Sequence, residues 1–434
     1  MEYFKKFNIL CASQVPTSAV RKLAKFAWEH KIPLFVQRSY GFVGYIRIAV
    51  PELDIYENHN PEFKDLRLND PFPEFLHFCE NFDIDVNTKE ENKKLTEKER
   101  VAFHSDIPWL ILAPILRKRF LEKHSAEELD EENFKKFVLE CRLEVEGKKV
   151  LEENYDELAA NAWLVASYED YYDIPSNVQD VLDDEKTNVT NESTKFWVLA
   201  AALKAFVEKE GNGKHLPLTG SLPDMHGSSA NYLSLQAVFK EKSNKDFKAL
   251  REHFHQIHNK VGTFKHFASI SDEEVERFFK NSRFIELLRY RSLEEEHHWN
   301  KDALSGILSS FEWDSNAKNI VWYFLLRAVD NFYEQHKRYP GDTDATYEND
   351  INALQQVVHQ QVKETGLDFS SIPNLDDYAH EMARYGAGEL HNVASIVGGT
   401  VAQEIIKVVT GQWVALNNTW IFSGLDSSSF QFEA

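Results

Sequence analysis

The chain has 434 residues, 49 Lys+Arg against 70 Asp+Glu, a formal net charge of −21, and a hydrophobic content of 43%. Such a chain can fill two or three domain cores and is not disordered, and its acidity argues against a nucleic-acid backbone or an anionic membrane surface as the main partner. Cys11, Cys79 and Cys141 lie far apart with no CxxC spacing, which excludes a disulfide framework or Cys-based zinc site and fits a reducing compartment.

The first 90 residues read as α/β. Phe7 to Ala12 is a short apolar run bounded by Ser13 to Pro16, as a buried strand requires. Ser18 to His30 carries Val20, Leu23, Ala24 and Trp28 at helical spacing and stops before Pro33. Leu34-Phe35-Val36 and the longer Gly41 to Val50 predict a second and a third strand. Strand, helix, strand is the pattern of a parallel βαβ unit.

From 91 to about 375 the periodicity is helical. Ser125-Ala126-Glu127-Glu128 and Ser271-Asp272-Glu273-Glu274 are capping boxes. Phe196, Leu199, Ala200, Leu203, Phe206 and Val207 make one apolar stripe, stopped by Gly211. Val321, Phe324, Leu325, Ala328, Val329 and Phe332 make another, stopped at Tyr339-Pro340-Gly341. The longest apolar run, Trp109 to Leu116, contains Pro114 and ends in Arg117-Lys118-Arg119, so no stretch approaches the ~18 residues of a spanning helix.

The last 60 residues return to α/β. His391 to Thr410 predicts a helix, and its Gly398-Gly399 pair, costing about 1 kcal/mol per Gly against Ala, predicts a second backbone packed close against it. Trp413 to Leu416 and Thr419 to Phe422 flank Asn417-Asn418 and read as a hairpin. The expected layout is one α/β domain, in pieces 1–90 and 376–434, interrupted by an all-α insertion over 91–375.

Ser13-Gln14-Val15-Pro16-Thr17-Ser18, between the first strand and its helix, holds no glycine, so no dinucleotide fingerprint or Walker loop is present. No cysteine sits in an activating setting: Cys11 is expected inside a buried strand, and Cys79 and Cys141 read as structural thiols. His253, His255 and His258 lack the further ligands of a tetrahedral metal site. Residues 211 to 231 carry four of the 17 glycines plus Pro217 and Pro223, a long irregular run of the kind that forms binding segments.

Several segments together resemble one family, the regulatory, non-cysteine subunits of the neddylation activating enzyme, within the ubiquitin-activating-enzyme-like proteins. They are Ile32-Pro33-Leu34 through Arg38-Ser39-Tyr40-Gly41-Phe42-Val43-Gly44, Asp65-Leu66-Arg67-Leu68 with Pro71-Phe72-Pro73-Glu74, and Leu222-Pro223-Asp224-Met225. Arg291-Ser292-Leu293, Leu326-Arg327-Ala328-Val329-Asp330, Arg338-Tyr339-Pro340-Gly341, Gly398-Gly399 through Gln403-Glu404-Ile405-Ile406-Lys407, and Asn417-Asn418-Thr419 complete the set in consistent order. The resemblance implies an incomplete adenylation-type (Rossmann-like) domain split by a pseudo catalytic-cysteine insertion. It implies a heterodimer whose catalytic subunit holds ATP and Mg and forms the thioester of a ubiquitin-like modifier on its own cysteine, so that this chain binds no cofactor or metal and has no catalytic residue. Asp224, Met225, Tyr232, Leu235 and Gln236 are expected to touch that subunit, in the cytoplasm and nucleus. The likeness begins inside the family's first α/β portion, so the strands and helices before Phe7 are expected to be lacking and the chain to be less stable alone. The alternatives are a helical interaction scaffold without enzymatic coupling and the regulatory subunit for another ubiquitin-like modifier.

Overall fold

In the computed structural model, which describes residues 1–57, 59, 63–85, 95–166, 169–311, 313–366 and 375–433, the first apolar run becomes β1 (Leu10–Ser13), followed by α1 (Thr17–Glu29), β2 (Leu34–Tyr40), β3 (Val43–Ala49) and β4 (Leu53–Ile55). The helical stretch then gives α2 (Pro73–Cys79), α3 (Glu97–Ser105), α4 (Trp109–Lys123), α5 (Glu131–Glu140), a hairpin of β5 (Glu144–Val145) and β6 (Lys148–Lys149), α6 (Glu153–Ala160), α7 (Ala162–Ala166), α8 (Ser176–Asp183), α9 (Lys195–Lys209), α10 (Ser229–Val261) and α11 (Asp272–Asn281). The chain continues through β7 (Glu286–Leu288), α12 (Lys301–Ser310), α13 (Ile320–His336), α14 (Tyr347–Thr365), α15 (Leu375–Tyr385) and α16 (His391–Thr410), and ends in β8 (Thr419–Ser423) and β9 (Ser428–Phe432).

Two units result: residues 1–58 with 286–434, and residues 59–285. In the first, five strands form one sheet in the order β1-β2-β3-β8-β9. As the βαβ pattern predicts, β1 and β2 are parallel, with Leu10 opposite Leu34; every other pairing is antiparallel, so the sheet is mixed rather than doubly wound. Val43 faces Ser423 in the β3–β8 register, so the head and tail of the chain build one sheet. Strand alternation sorts the side chains. Phe35, Ile46, Ile48 and Phe422 pack under Val393, Val397 and Val401 of α16. On the opposite face Leu34 and Val36 meet α1, while Tyr40, Val43 and Ile421 meet α13 and α15. β4 pairs with β7, Leu53 against Leu288, and this short ladder closes the neck where the second unit leaves and rejoins.

The second unit is helical apart from β5 and β6. At its centre α4 is buried on nearly every side from Trp109 to Leu116, with Pro114 inside the helix. A buried polar cluster is paired inside it: Glu152 takes the Leu143 amide at 2.8 Å and lies 2.5 Å from Nδ1 of His104, whose Nε2 meets the Tyr155 hydroxyl at 3.0 Å. Both capping boxes form, at Ser125 and at Ser271.

Two expectations are corrected. The compact units divide at 58/59 and 285/286, not 90/91 and 375/376; α12 to α15 are helical but share one core with Tyr40, Val43 and Ile421 of the sheet, and periodicity does not say which core a helix joins. Trp413 to Leu416 forms no strand; β8 turns instead through Gly424 to Ser427 into β9. Asn418 does adopt a positive φ of 76°, but as the bend that delivers the chain to β8.

Candidate partner-binding surfaces

The crest of the first unit, where β1 and β2 end and α1 begins, is where α/β folds commonly hold a ligand. Here several of its polar groups are occupied with one another. Gln14 donates through Nε2 to Ser39 O at 2.7 Å and to Glu389 Oε1 at 2.6 Å. Arg38 reaches Asp330 at 2.5 Å. Arg47, fully buried on β3, donates from Nε to Glu296 at 2.9 Å and from Nη2 to Arg291 O at 2.7 Å, and the Tyr323 hydroxyl closes on the other oxygen of Glu296. Burial and then the Glu296 charge push the Tyr323 phenol well above its ordinary value. Crevices of about 100 Å³ beside Val15, Thr17, Arg38, Tyr45 and Asp330, and of about 180 Å³ beside Gln14, Ser18, Tyr40 and Glu389, remain. Gln14-Val15-Pro16 at the strand-to-helix turn includes no glycine, so this turn is not the glycine-rich loop that commonly cradles a phosphate.

The thiols are not activated. Cys11 is exposed rather than buried, because the four-residue β1 alternates, with Leu10 and Ala12 inward. Partial burial nonetheless raises its thiol, and burial raises Cys79 and Cys141 as well. His253 spends Nε2 on Glu210 at 2.8 Å, and among the described residues no three His, Cys, Asp or Glu side chains gather as a metal set.

The glycine-rich run is an ordered strap along α10. Leu216, Leu218 and Leu222 are buried, Leu218 N donates to Asp246 at 2.9 Å, and Gly220 turns at φ +81° against the backbone of Phe239. Ser228 caps α10 by accepting from Asn231 N. Of the residues expected to meet a partner, Asp224 and Gln236 are exposed, while Met225 and Tyr232 are half-buried. Leu235 is fully buried in the second unit's own core beside Phe239, so its side chain has no surface to offer.

Sequence reasoning missed a second surface, on α16. Its Val393, Val397 and Val401 row lies on the sheet, but Ile396, Ile406 and Val409 on the far side are exposed, as are Trp413 and Val414 just beyond. Gly398 and Gly399 face open space: a Cβ at either would meet nothing within 4 Å. The second backbone expected against them is not found among the described residues. By length and composition α16 could also cross a membrane; counting unbroken apolar runs passed over it because Thr400, Gln403, Glu404 and Lys407 interrupt.

No protein-family model matches the chain. Curated relatives do, along nearly its whole length. The NEDD8-activating enzyme E1 regulatory subunit of Gallus gallus is 37% identical over 440 residues, covering 99% of this chain and 78% of the chicken protein. That of Danio rerio is 36% identical over 442 residues, with 100% and 78% covered. The Arabidopsis thaliana subunit AXR1 is 33% identical over 430 residues, with 98% and 75% covered.

Proposed function

This chain belongs to the family of NEDD8-activating enzyme E1 regulatory subunits, and from that premise we propose that it acts as the scaffolding half of a heterodimer, with ATP and Mg held by the catalytic subunit. As a regulatory subunit it is not an enzyme on its own. Its mixed sheet is read as an adenylation-type domain that has given up nucleotide chemistry, and residues 59–285 as the counterpart of a cysteine domain without a nucleophile. The observation that carries this reading is the match to regulatory subunits over 99% of the chain. The occupied crest, where Gln14, Arg38 and Arg47 are all spent on internal partners, and three thiols pushed above their ordinary value support it. Asp224, Met225, Tyr232 and Gln236 are proposed to contact the catalytic subunit, in the cytoplasm and nucleus.

The test is co-expression with a catalytic subunit of this enzyme class. A 1:1 complex that charges its modifier in an ATP-dependent thioester, and still does so with Cys11, Cys79 and Cys141 all replaced by Ala, is the expected result. Failure of the wild-type chains to associate, or loss of charging without the three thiols in a complex that still forms, overturns the proposal.

A further inference from the structure

We propose that a cavity in the second unit, between the segment at Phe63 to Arg67, the strap and the turn after α11, binds a neutral aromatic ring carrying one N–H or O–H donor. This goes beyond the reading of the chain as a regulatory subunit and does not depend on it.

The cavity measures about 460 Å³ and opens beside Phe63, Asp65, Pro217, Ser221, Arg283 and Phe284, a volume within the range of small-molecule sites. Its walls are tied to one another. Arg67, buried just past Asp65, donates from Nε to Asp65 Oδ2 at 3.2 Å and from Nη2 to Leu216 O at 2.6 Å, so one guanidinium fixes the 63–67 segment to the strap. Arg67 does this at φ +47°, in the left-handed region that long side chains seldom adopt, and backbone strain of this kind gathers at ligand sites. The third wall is held by Arg283. Its guanidinium lies 3.8 Å from the centre of the Phe63 ring and donates to Tyr171 O at 2.8 Å and to Asp173 O at 2.9 Å.

One polar atom of these walls is left over. Asp65 Oδ1 is buried and has no hydrogen-bond partner among the described residues, and protein interiors seldom leave such an oxygen without a donor. The surroundings decide which donor suits it. A cationic ligand is disfavoured, because Arg67 already pairs with Asp65 and Arg283 also feels its charge. An anionic ligand finds Lys280 paired with Glu276 at 2.7 Å and Arg283 committed to Phe63 and two carbonyls. What remains is a neutral donor on an apolar frame. Phe63, Pro217 and Phe284 supply apolar surface for a flat ring, and a single N–H or O–H satisfies the carboxylate. That chemistry occurs both in a free heteroaromatic molecule and in the tryptophan side chain of another protein.

The test uses the full chain, with indole as the probe, and reads binding by calorimetry. One-to-one binding with a Kd below about 1 mM is expected. 1-Methylindole, the same ring without the donor, should bind about 10-fold more weakly, and Asp65→Ala should remove that difference. Ser221→Phe, which adds a ring at the mouth of the cavity, should abolish binding of both indoles, with a melting temperature that shows the chain folded. N-acetyltryptophanamide binding as tightly as indole assigns the ligand to a protein side chain, and its exclusion while indole binds assigns it to a free molecule; either supports the site. No saturable binding of indole, equal affinity of the two indoles for the wild type, or undiminished binding by Ser221→Phe overturns the proposal. Should Asp65→Ala fail to fold, the comparison of the two indoles on the wild-type chain still decides. Association with the catalytic subunit is a separate measurement, so failure here leaves the regulatory reading intact.

Discussion

The guanidinium of Arg38, on β2, meets the carboxylate of Asp330, on α13, at 2.5 Å, across 292 residues of sequence. The inserted unit lies between them in the chain, yet both line one crevice of the first unit. Burial is the largest single influence on Arg38 and lowers its pKa, but the Coulomb attraction and hydrogen bond of Asp330, with Tyr339 and Tyr40, together raise it above its ordinary value. Removing one member leaves the other charge poorly solvated, which costs ~3–5 kcal/mol where burial is complete. Here both groups are slightly exposed. Arg38→Met or Asp330→Leu should therefore cost roughly 2 kcal/mol, and the double substitution should recover most of it. A double-mutant cycle by urea denaturation measures the coupling.

Leu235→Ala should destabilise the second unit by about 2–5 kcal/mol, because the side chain is fully buried beside Phe239. Gln236→Ala, one residue on and exposed, should change stability by less than ~0.5 kcal/mol. A thermal melt of each variant separates the two. Weaker partner binding by Leu235→Ala is then a consequence of unfolding, whereas weaker binding by Gln236→Ala is not.

Asp54, on β4, has its pKa pushed up to about 6, mainly by burial and then by the Glu52 charge. The folded chain thus holds this proton more tightly than the unfolded chain, whose Asp releases it near ~3.9. Its contribution to stability falls as pH rises from about 4 to about 6 and is level above that, a loss of roughly 2–3 kcal/mol. Asp54→Asn should remove that fall: its melting temperature should exceed the wild type's at pH 7.5 and match it near pH 4. Differential scanning fluorimetry across this range checks the sign.

Gly41 joins β2 to β3 at φ +55°, and a Cβ there would lie 2.0 Å from the Tyr385 ring. Its amide also donates to Gly388 O at 2.7 Å. Gly41→Ala combines backbone strain with overpacking, so a loss of about 3 kcal/mol is expected. Tyr385→Ala in the same chain relieves only the steric part. Melting temperatures of the single and double variants apportion the two.

Much of this architecture was legible in the residues. α16 runs from His391 to Thr410 as its apolar spacing predicts, and β1, α1 and β2 follow from short runs with clear stops. The missed hairpin is instructive. Trp413 to Leu416 and Thr419 to Phe422 are equally apolar, and only pairing with β3 decides that the second becomes a strand. Helical spacing located α13 but not its home, since burial all around a helix says nothing of which sheet surrounds it. The outward face of α16 was hidden for a different reason: apolar residues on every side of a helix do not say which of them the sheet covers. The loop residues came from a resemblance between sequences, which cannot distinguish a side chain that supports a surface from one that forms it, and Leu235 supports it.

The pairing of β3 with β8 also sets an order of events during synthesis. Val43 leaves the ribosome long before Ser423, its partner in the ladder, whereas residues 59–285 can complete their own core in the interval. Nascent chains therefore carry an unsatisfied strand through most of translation, and contacts so distant in sequence form slowly. A premature stop after Ile285 but before Thr419 would release a polypeptide with one sound half and one sticky half, a natural client for chaperones and proteases.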